Sequence, residues 1–306
     1  VSKFKGVIPP VVTPLTESGE LDKTSFKRSI DRMIEAGVNG LFILGSSGEV
    51  AFSTDARREE ILRAAKEIVG DRVPLLAGCI DTETLRVIEH AKVAEELGYD
   101  AIVATAPFYA LGGLPEIERH FRVIHEATSL PIFAYDIPVC VHVKLPGALL
   151  LKLGKDGVIA GVKDSSGDDV AFRFLVDDNE EAGHPLALFT GQEVVVDGAY
   201  MAGADGSVPG LANVDPVSYV KQWQAYQAGD WDTVRTTQNH LSALMRITSV
   251  VQNVSGFGAG VGAFKTAMKL LGVYDSNMMP EPVAALEGEN VQRIRNVLVK
   301  TGMLSD

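Results

Sequence analysis

"PIFAYDIPVCVHVKL" (131–145) and "VIAGVKDSSGDD" (158–169) decide the fold. Each begins as a short, nearly unbroken apolar run and ends abruptly in polar residues and a turn. A run with no polar alternation fits a parallel strand buried on both faces. Six more runs share this character: "GVIPPVVTP" (6–14), "GLFILG" (40–45), "VPLLAG" (73–78), "AIVATAP" (101–107), "LALFTG" (186–191) and "GSVPG" (206–210). That makes eight.

Amphipathic stretches lie between the runs. "DKTSFKRSIDRMIEAG" has a capping residue at its start and stops at Gly37. "STDARREEILRAAKEIVG" opens on Ser53 and Thr54 and ends at Gly70. "DTETLRVIEHAKVAEELG" and "GLPEIERHFRVIHEAT" follow the same plan. Eight strand–helix units in one chain predict a (β/α)₈ barrel. The alternative is a doubly wound sheet, which usually breaks into domains before eight strands, and no linker is visible. The barrel is expected over 1–228. A C-terminal helical subdomain is expected over 229–306, with helices around 229–250, 260–272 and 286–300.

Composition narrows the function. The chain has 306 residues, is 46% hydrophobic and 22% charged, and carries a net charge of −12. The acidic balance argues against nucleic acid or an anionic membrane as partner. No apolar run reaches the ~20 residues that span a bilayer. Cys79 and Cys140 each lie in or beside apolar segments. They read as reduced cysteines of a cytoplasmic protein, and the N-terminus lacks the apolar core of a signal peptide. No HxH or HExxH spacing occurs, so a metal-dependent aldolase is disfavoured, and the chemistry of Lys163 implies no metal or organic cofactor. His90, His120 and His125 fall on outer helices and read as solvated; "SGFGAGVGAFKTAMKLLG" (255–272) reads as a flexible loop before a helix.

In a barrel of this kind the chemistry gathers at the C-terminal ends of the strands. Lys163 follows "VIAGV" and emerges there from an apolar strand. Desolvation disfavours a lysine's charged form, and a neutral amine attacks ketones to give a Schiff base. The competing reading pairs Lys163 with an acid such as Asp164. Tyr135 ends the neighbouring strand and can shuttle protons in the same mouth, or can be a core tyrosine with a satisfied hydroxyl. "GSSGE" (45–49) offers convergent backbone N–H groups and the hydroxyls of Ser46 and Ser47, which suits a carboxylate, or it is simply a tight turn. A serine hydrolase built on Ser46 or Ser47 would need a strand-end histidine that the sequence does not supply.

Together, "GSSGE", "YDIP" and "GVKDSSGD" resemble the dihydrodipicolinate synthase/N-acetylneuraminate lyase family, and "PPVVTP", "GADGSVPGLANV" and the helical tail extend the resemblance over nearly the whole chain. The resemblance implies a Schiff-base aldolase, lyase or dehydratase acting on pyruvate or a related 2-keto acid, assembled as a homotetramer (a dimer of dimers). It implies that Lys163 forms the imine and Tyr135 relays protons. Ser46 and Ser47 would hold the keto-acid carboxylate, and Tyr109 would reach across a dimer contact into a neighbouring site. Substrate contacts are then expected at Gly45, Ser47, Cys140, His142, Gly191, Glu193, Ser207 and Val208.

Two departures bear on the substrate. The synthase branch places an arginine at the position of Cys140, and a cysteine makes no bidentate contact with a carboxylate. The sialic-acid lyase branch places two consecutive acids where this chain has Glu193 and Val194. A 2-keto-3-deoxy sugar acid is the substrate expected instead, with Glu193, Ser207 and His142 as its polar contacts. The alternatives are the dihydrodipicolinate synthase or N-acetylneuraminate lyase reaction proper, or a barrel that binds a keto acid without turnover.

Overall fold

The computed structural model describes residues 4–305. Eight parallel strands occupy its centre: β1 (Gly6–Val7), β2 (Leu41–Ile43), β3 (Leu75–Gly78), β4 (Ala101–Thr105), β5 (Ile132–Asp136), β6 (Gly161–Asp164), β7 (Ala187–Thr190) and β8 (Gly206–Ser207). Each pairs with the next in chain order from β2 to β8, and β8 pairs with β1. The circle closes between β1 and β2 at a parallel bridge from Pro10 to Phe42, where the Phe42 N–H donates to Pro9 O at 2.9 Å and the Val11 N–H to Phe42 O at 2.8 Å. The chain is a TIM barrel. Among its eight strands β1 is much shorter than the 6–14 run suggests, because Pro9 and Pro10 have no N–H and can only accept in the ladder.

Helices alternate with strands around the outside: α1 (Lys23–Ala36), α2 (Asp55–Val69), α3 (Thr84–Glu96), α4 (Leu114–Ala127), a short α5 (Pro138–Val141), α6 (Gly147–Lys155), α7 (Asp169–Glu181), α8 (Val196–Ala202) and α9 (Pro216–Gln227). Their ends follow local chemistry. The Asp22 carboxylate accepts from the N–H groups of Thr24 and Ser25 to start α1, and Gly37 at φ 94° stops it in the left-handed region. Thr54 caps α2 through the Arg57 N–H.

Three more helices follow, α10 (Trp231–Met245), α11 (Gly256–Leu270) and α12 (Gly288–Lys300). The glycine-rich stretch is not a loop: it is the body of α11, capped by Ser255 through the Gly258 N–H at 3.0 Å. A Cβ on Gly262 would already touch Leu286 at 3.4 Å, so there close packing uses the missing side chain, whereas Gly256 and Gly260 have nothing within 4 Å. Leu241, Val261, Phe264, Met268 and Ile294 belong to the same continuous buried cluster as the barrel strands. No helix among the described residues is long and apolar enough to cross a membrane.

Candidate active site

Register brings the two decisive side chains together. Tyr135 on β5 is the direct cross-strand partner of Lys163 on β6, so both project on the same side of the sheet, into the barrel. Lys163 is 6% exposed and Tyr135 3%. The Lys163 Nζ stands 4.1 Å from the centre of the Tyr135 ring and 5.2 Å from that of Phe42. Phe42 and Tyr135 meet edge to face at 6.4 Å. Below the amine the lumen is filled by apolar side chains, including Ile8, Leu76, Val103, Phe133, Phe189 and Val208.

The acids nearest in sequence to these two residues are occupied elsewhere. Lys144 reaches from the segment after α5 to both Asp136, fully buried, and Asp164, the latter at 3.3 Å. Asp136 also accepts from the Leu145 N–H, and Asp164 from the Ser166 N–H. Burial pushes the Asp136 carboxyl up, against the opposing pull of Lys144. No ion-pair partner of Lys163 is found among the described residues, so Asp164 does not neutralise it. Lys144 lies eight residues from Asp136 across a proline turn, and nothing in the sequence announces its role.

The loop after β2 supplies the hydroxyls. Leu44 (φ 59°) and Glu49 (φ 62°) both take left-handed backbone there. Ser46 Oγ comes to 3.4 Å of the Tyr135 hydroxyl, a long hydrogen bond. Gly45 must be small, since a Cβ would meet Phe42 at 2.7 Å. Three loops converge at Gly210, where a Cβ would stand 3.0 Å from Glu193 Oε1 and 3.2 Å from Ser47 Oγ. Gly191 leaves room beside the amine: a Cβ there would fall 2.1 Å from Ser165 Oγ and 3.0 Å from Lys163 Cε.

The buried Glu49 is held from the far end of the chain. Lys265 on α11, with no exposed surface, donates to Glu49 at 2.8 Å and to Met278 O at 2.9 Å. Burial raises the Glu49 carboxyl to about 6 despite this partner. The two residues are 216 apart in sequence, beyond the reach of any local pattern.

Most of the other polar candidates lie apart from the amine or are already engaged; Cys140 is the exception. Ser207 is fully buried, its hydroxyl 2.9 Å from that of Tyr200 on α8, in the helix layer. Glu193 is half-buried; its Oε1 accepts from the Gly210 N–H at 3.1 Å and so caps the turn that follows. Burial raises its carboxyl, while Lys163 and neighbouring backbone N–H groups act in the opposite sense. His142 ends α5 in the left-handed region at φ 59° and is exposed. Tyr109 (φ 71°) is 94% exposed. Cys140 is part exposed; partial burial raises its thiol, against the opposing pull of the nearby Lys163 charge.

Two histidines read as solvated are buried. His90 joins Arg58 and Asp81 in a polar cluster. His120 on α4 packs beneath β4 with its Nε2 3.1 Å from Thr105 O. His125 is exposed.

An eight-stranded parallel barrel with an unpaired lysine beside a tyrosine at adjacent strand ends has the architecture of a lysine-dependent, class I lyase. The sequence pattern of the Dihydrodipicolinate synthetase family matches residues 3–301, and the chain belongs to that family. It is 33% identical over 262 residues to 4-hydroxy-tetrahydrodipicolinate synthase 1 of Streptomyces coelicolor, covering 86% of this chain and 82% of that protein. An uncharacterised DapA-like lyase of Halobacterium salinarum is 30% identical over 98% of this chain and 94% of its own length. Among solved structures, YagE, an Escherichia coli K12 prophage protein of the dihydrodipicolinic acid synthase family in complex with pyruvate, superposes with a TM-score of 0.94. It is 27% identical and covers 99% of this chain and 100% of its own.

Proposed function

We propose that the protein is a Schiff-base lyase of 2-keto acids, with pyruvate as one of its reactants. The observation that carries this reading is the unpaired Lys163 amine held over the Tyr135 ring, with the Tyr135 hydroxyl in reach of Ser46. In the proposed reaction the deprotonated Lys163 Nζ attacks C2 of the keto acid. Ser46, Ser47 and the N–H groups of the 45–48 turn hold the carboxylate. Loss of water gives an iminium that draws electrons from C3, and Tyr135 moves the proton. The resulting enamine makes or breaks the C3–C4 bond, and water frees the product from Lys163. Dehydration differs only in which bond breaks.

Of the sugar-acid contacts read from the sequence, Glu193 and Ser207 are engaged elsewhere and His142 is exposed. The proposal therefore keeps the keto acid and drops the polyol. A role in self-association is also proposed for Tyr109: so exposed a tyrosine suits contact with a second copy, as in a homotetramer built from dimers.

Enamine formation has its own signature, exchange of the pyruvate methyl hydrogens with deuterated water. The protein is expected to catalyse this exchange with no aldehyde present, read by proton NMR. Binding of pyruvate without exchange would support a non-catalytic keto-acid barrel.

A further inference from the structure

Beside Lys163 and Tyr135 the mouth opens into a cavity of about 280 Å³. Its walls are mostly apolar, from Val50, Ala51, Phe52, Ile80, Phe108, Ile137, Val141 and Phe257, with Ser46, Glu49, Thr105 and Cys140 as the polar residues. Polar groups are few. The Glu49 carboxylate that borders the cavity is committed to Lys265. No lysine or arginine lines it, so a second carboxylate entering there would lose its hydration without gaining a counter-charge. A polyol with several hydroxyls would find only Ser46, Glu49 and Thr105 to pair them. Apolar cavities of about 150 Å³ hold a benzene ring, so this one has room for a larger apolar group.

Two polar atoms in the wall lack a hydrogen-bond partner, Glu49 Oε1 and Thr105 Oγ1, and of these Glu49 Oε1 keeps an ion-pair contact with Lys265 at 2.8 Å. Thr105 ends β4, is 3% exposed and lines the cavity, and its Oγ1 has no hydrogen-bond partner. Thr105 is the cross-strand partner of Tyr135, so its side chain projects on the same side of the sheet as the site. A buried hydroxyl left unpaired costs free energy, and a ligand oxygen would satisfy it. Together these features describe a mainly apolar, uncharged molecule with an oxygen that meets Thr105.

We propose that the second reactant is an uncharged aldehyde carrying an apolar alkyl or aryl group, which fills this cavity while its carbonyl oxygen meets Thr105. The proposal rests on the keto-acid reading above. In the condensation direction, C3 of the Lys163 enamine forms a bond to the aldehyde carbon as the carbonyl π bond breaks. The proton that Tyr135 took from C3 passes to the aldehyde oxygen. Water then adds at C2, returning the Lys163 amine and releasing a 4-hydroxy-2-keto acid with an apolar substituent.

The test is a pair of measurements on the full chain. Pyruvate methyl exchange reports the first half-reaction. Condensation of pyruvate with benzaldehyde, butyraldehyde, glyceraldehyde and glyoxylate reports the second. The expected result is exchange, with kcat/KM for benzaldehyde or butyraldehyde at least about tenfold above that for glyceraldehyde and glyoxylate, the range that apolar contacts give. Thr105→Val should lower condensation about tenfold more than it lowers exchange, and Cys140→Arg should shift preference toward glyoxylate. Exchange with faster use of glyceraldehyde or glyoxylate, or with no aldehyde accepted, overturns the inference and leaves the keto-acid reading standing. Absence of exchange overturns both.

Discussion

Lys163 and Tyr135 act as a pair because a parallel register aligns them, not because either is unusual alone. The tyrosine ring supports the amine and its hydroxyl serves the proton transfers, and these two roles can be separated. Tyr135→Phe keeps the ring under Nζ and deletes the hydroxyl. It is expected to slow pyruvate exchange by roughly 10²–10⁴-fold, the usual contribution of a positioned acid–base group, while thermal unfolding changes little. An unchanged exchange rate would remove Tyr135 from the chemistry. Lys163 and Tyr135 stood out because each closes an apolar run at a strand end, and Ser46 and Ser47 because they lie in a glycine-flanked turn, while their roles came from the resemblance of the three motifs together. Thr105 also lies at a strand end but sits inside the run "AIVATAP", with no turn glycine or polar neighbour to set it apart.

At the scale of elements, the eight apolar runs and the capped helices between them were readable from periodicity and end signals. The misreadings have identifiable causes. Prolines shorten β1, and a glycine-rich helix looks like a loop until the surface it packs against is known. His120 shows why a histidine on an outer helix need not be solvated: it lies on the inward face of α4. Its Nε2–H donates to Thr105 O, and its Nδ1 lies 3.0 Å from Thr84 Oγ1, in position to accept. Burial lowers its pKa from 6.5 to about 4. The unfolded chain therefore binds the proton first as pH falls. The stability tied to neutral His120 is present above pH 6.5 and is lost as pH falls from there toward 4, amounting to about 3 kcal/mol. Urea unfolding across that window should show a slope that His120→Gln reduces. Equal slopes in the two proteins would contradict this placement.

At the scale of the whole molecule, distant parts of the chain complete the site. Lys265 on α11 holds Glu49 in the loop after β2, so the late helices help fix the turn that carries Ser46 and Ser47. Neither the Glu49–Lys265 pair nor the Lys144 contacts could be read from the sequence, because long-range partners leave no local period. Tyr109, Leu111 and Leu114 form an exposed apolar edge near the mouth. Sedimentation is expected to show dimers or tetramers, and Tyr109→Ala to reduce activity. A fully active monomer would contradict a role for a second copy.

The central claim is that Lys163 forms a covalent imine with a keto acid. Incubation with pyruvate followed by borohydride reduction should fix the adduct as a stable secondary amine, and peptide mass mapping should place it on Lys163 and abolish it in Lys163→Ala. Labelling of another lysine, or no labelling under conditions where pyruvate exchange proceeds, would contradict the account.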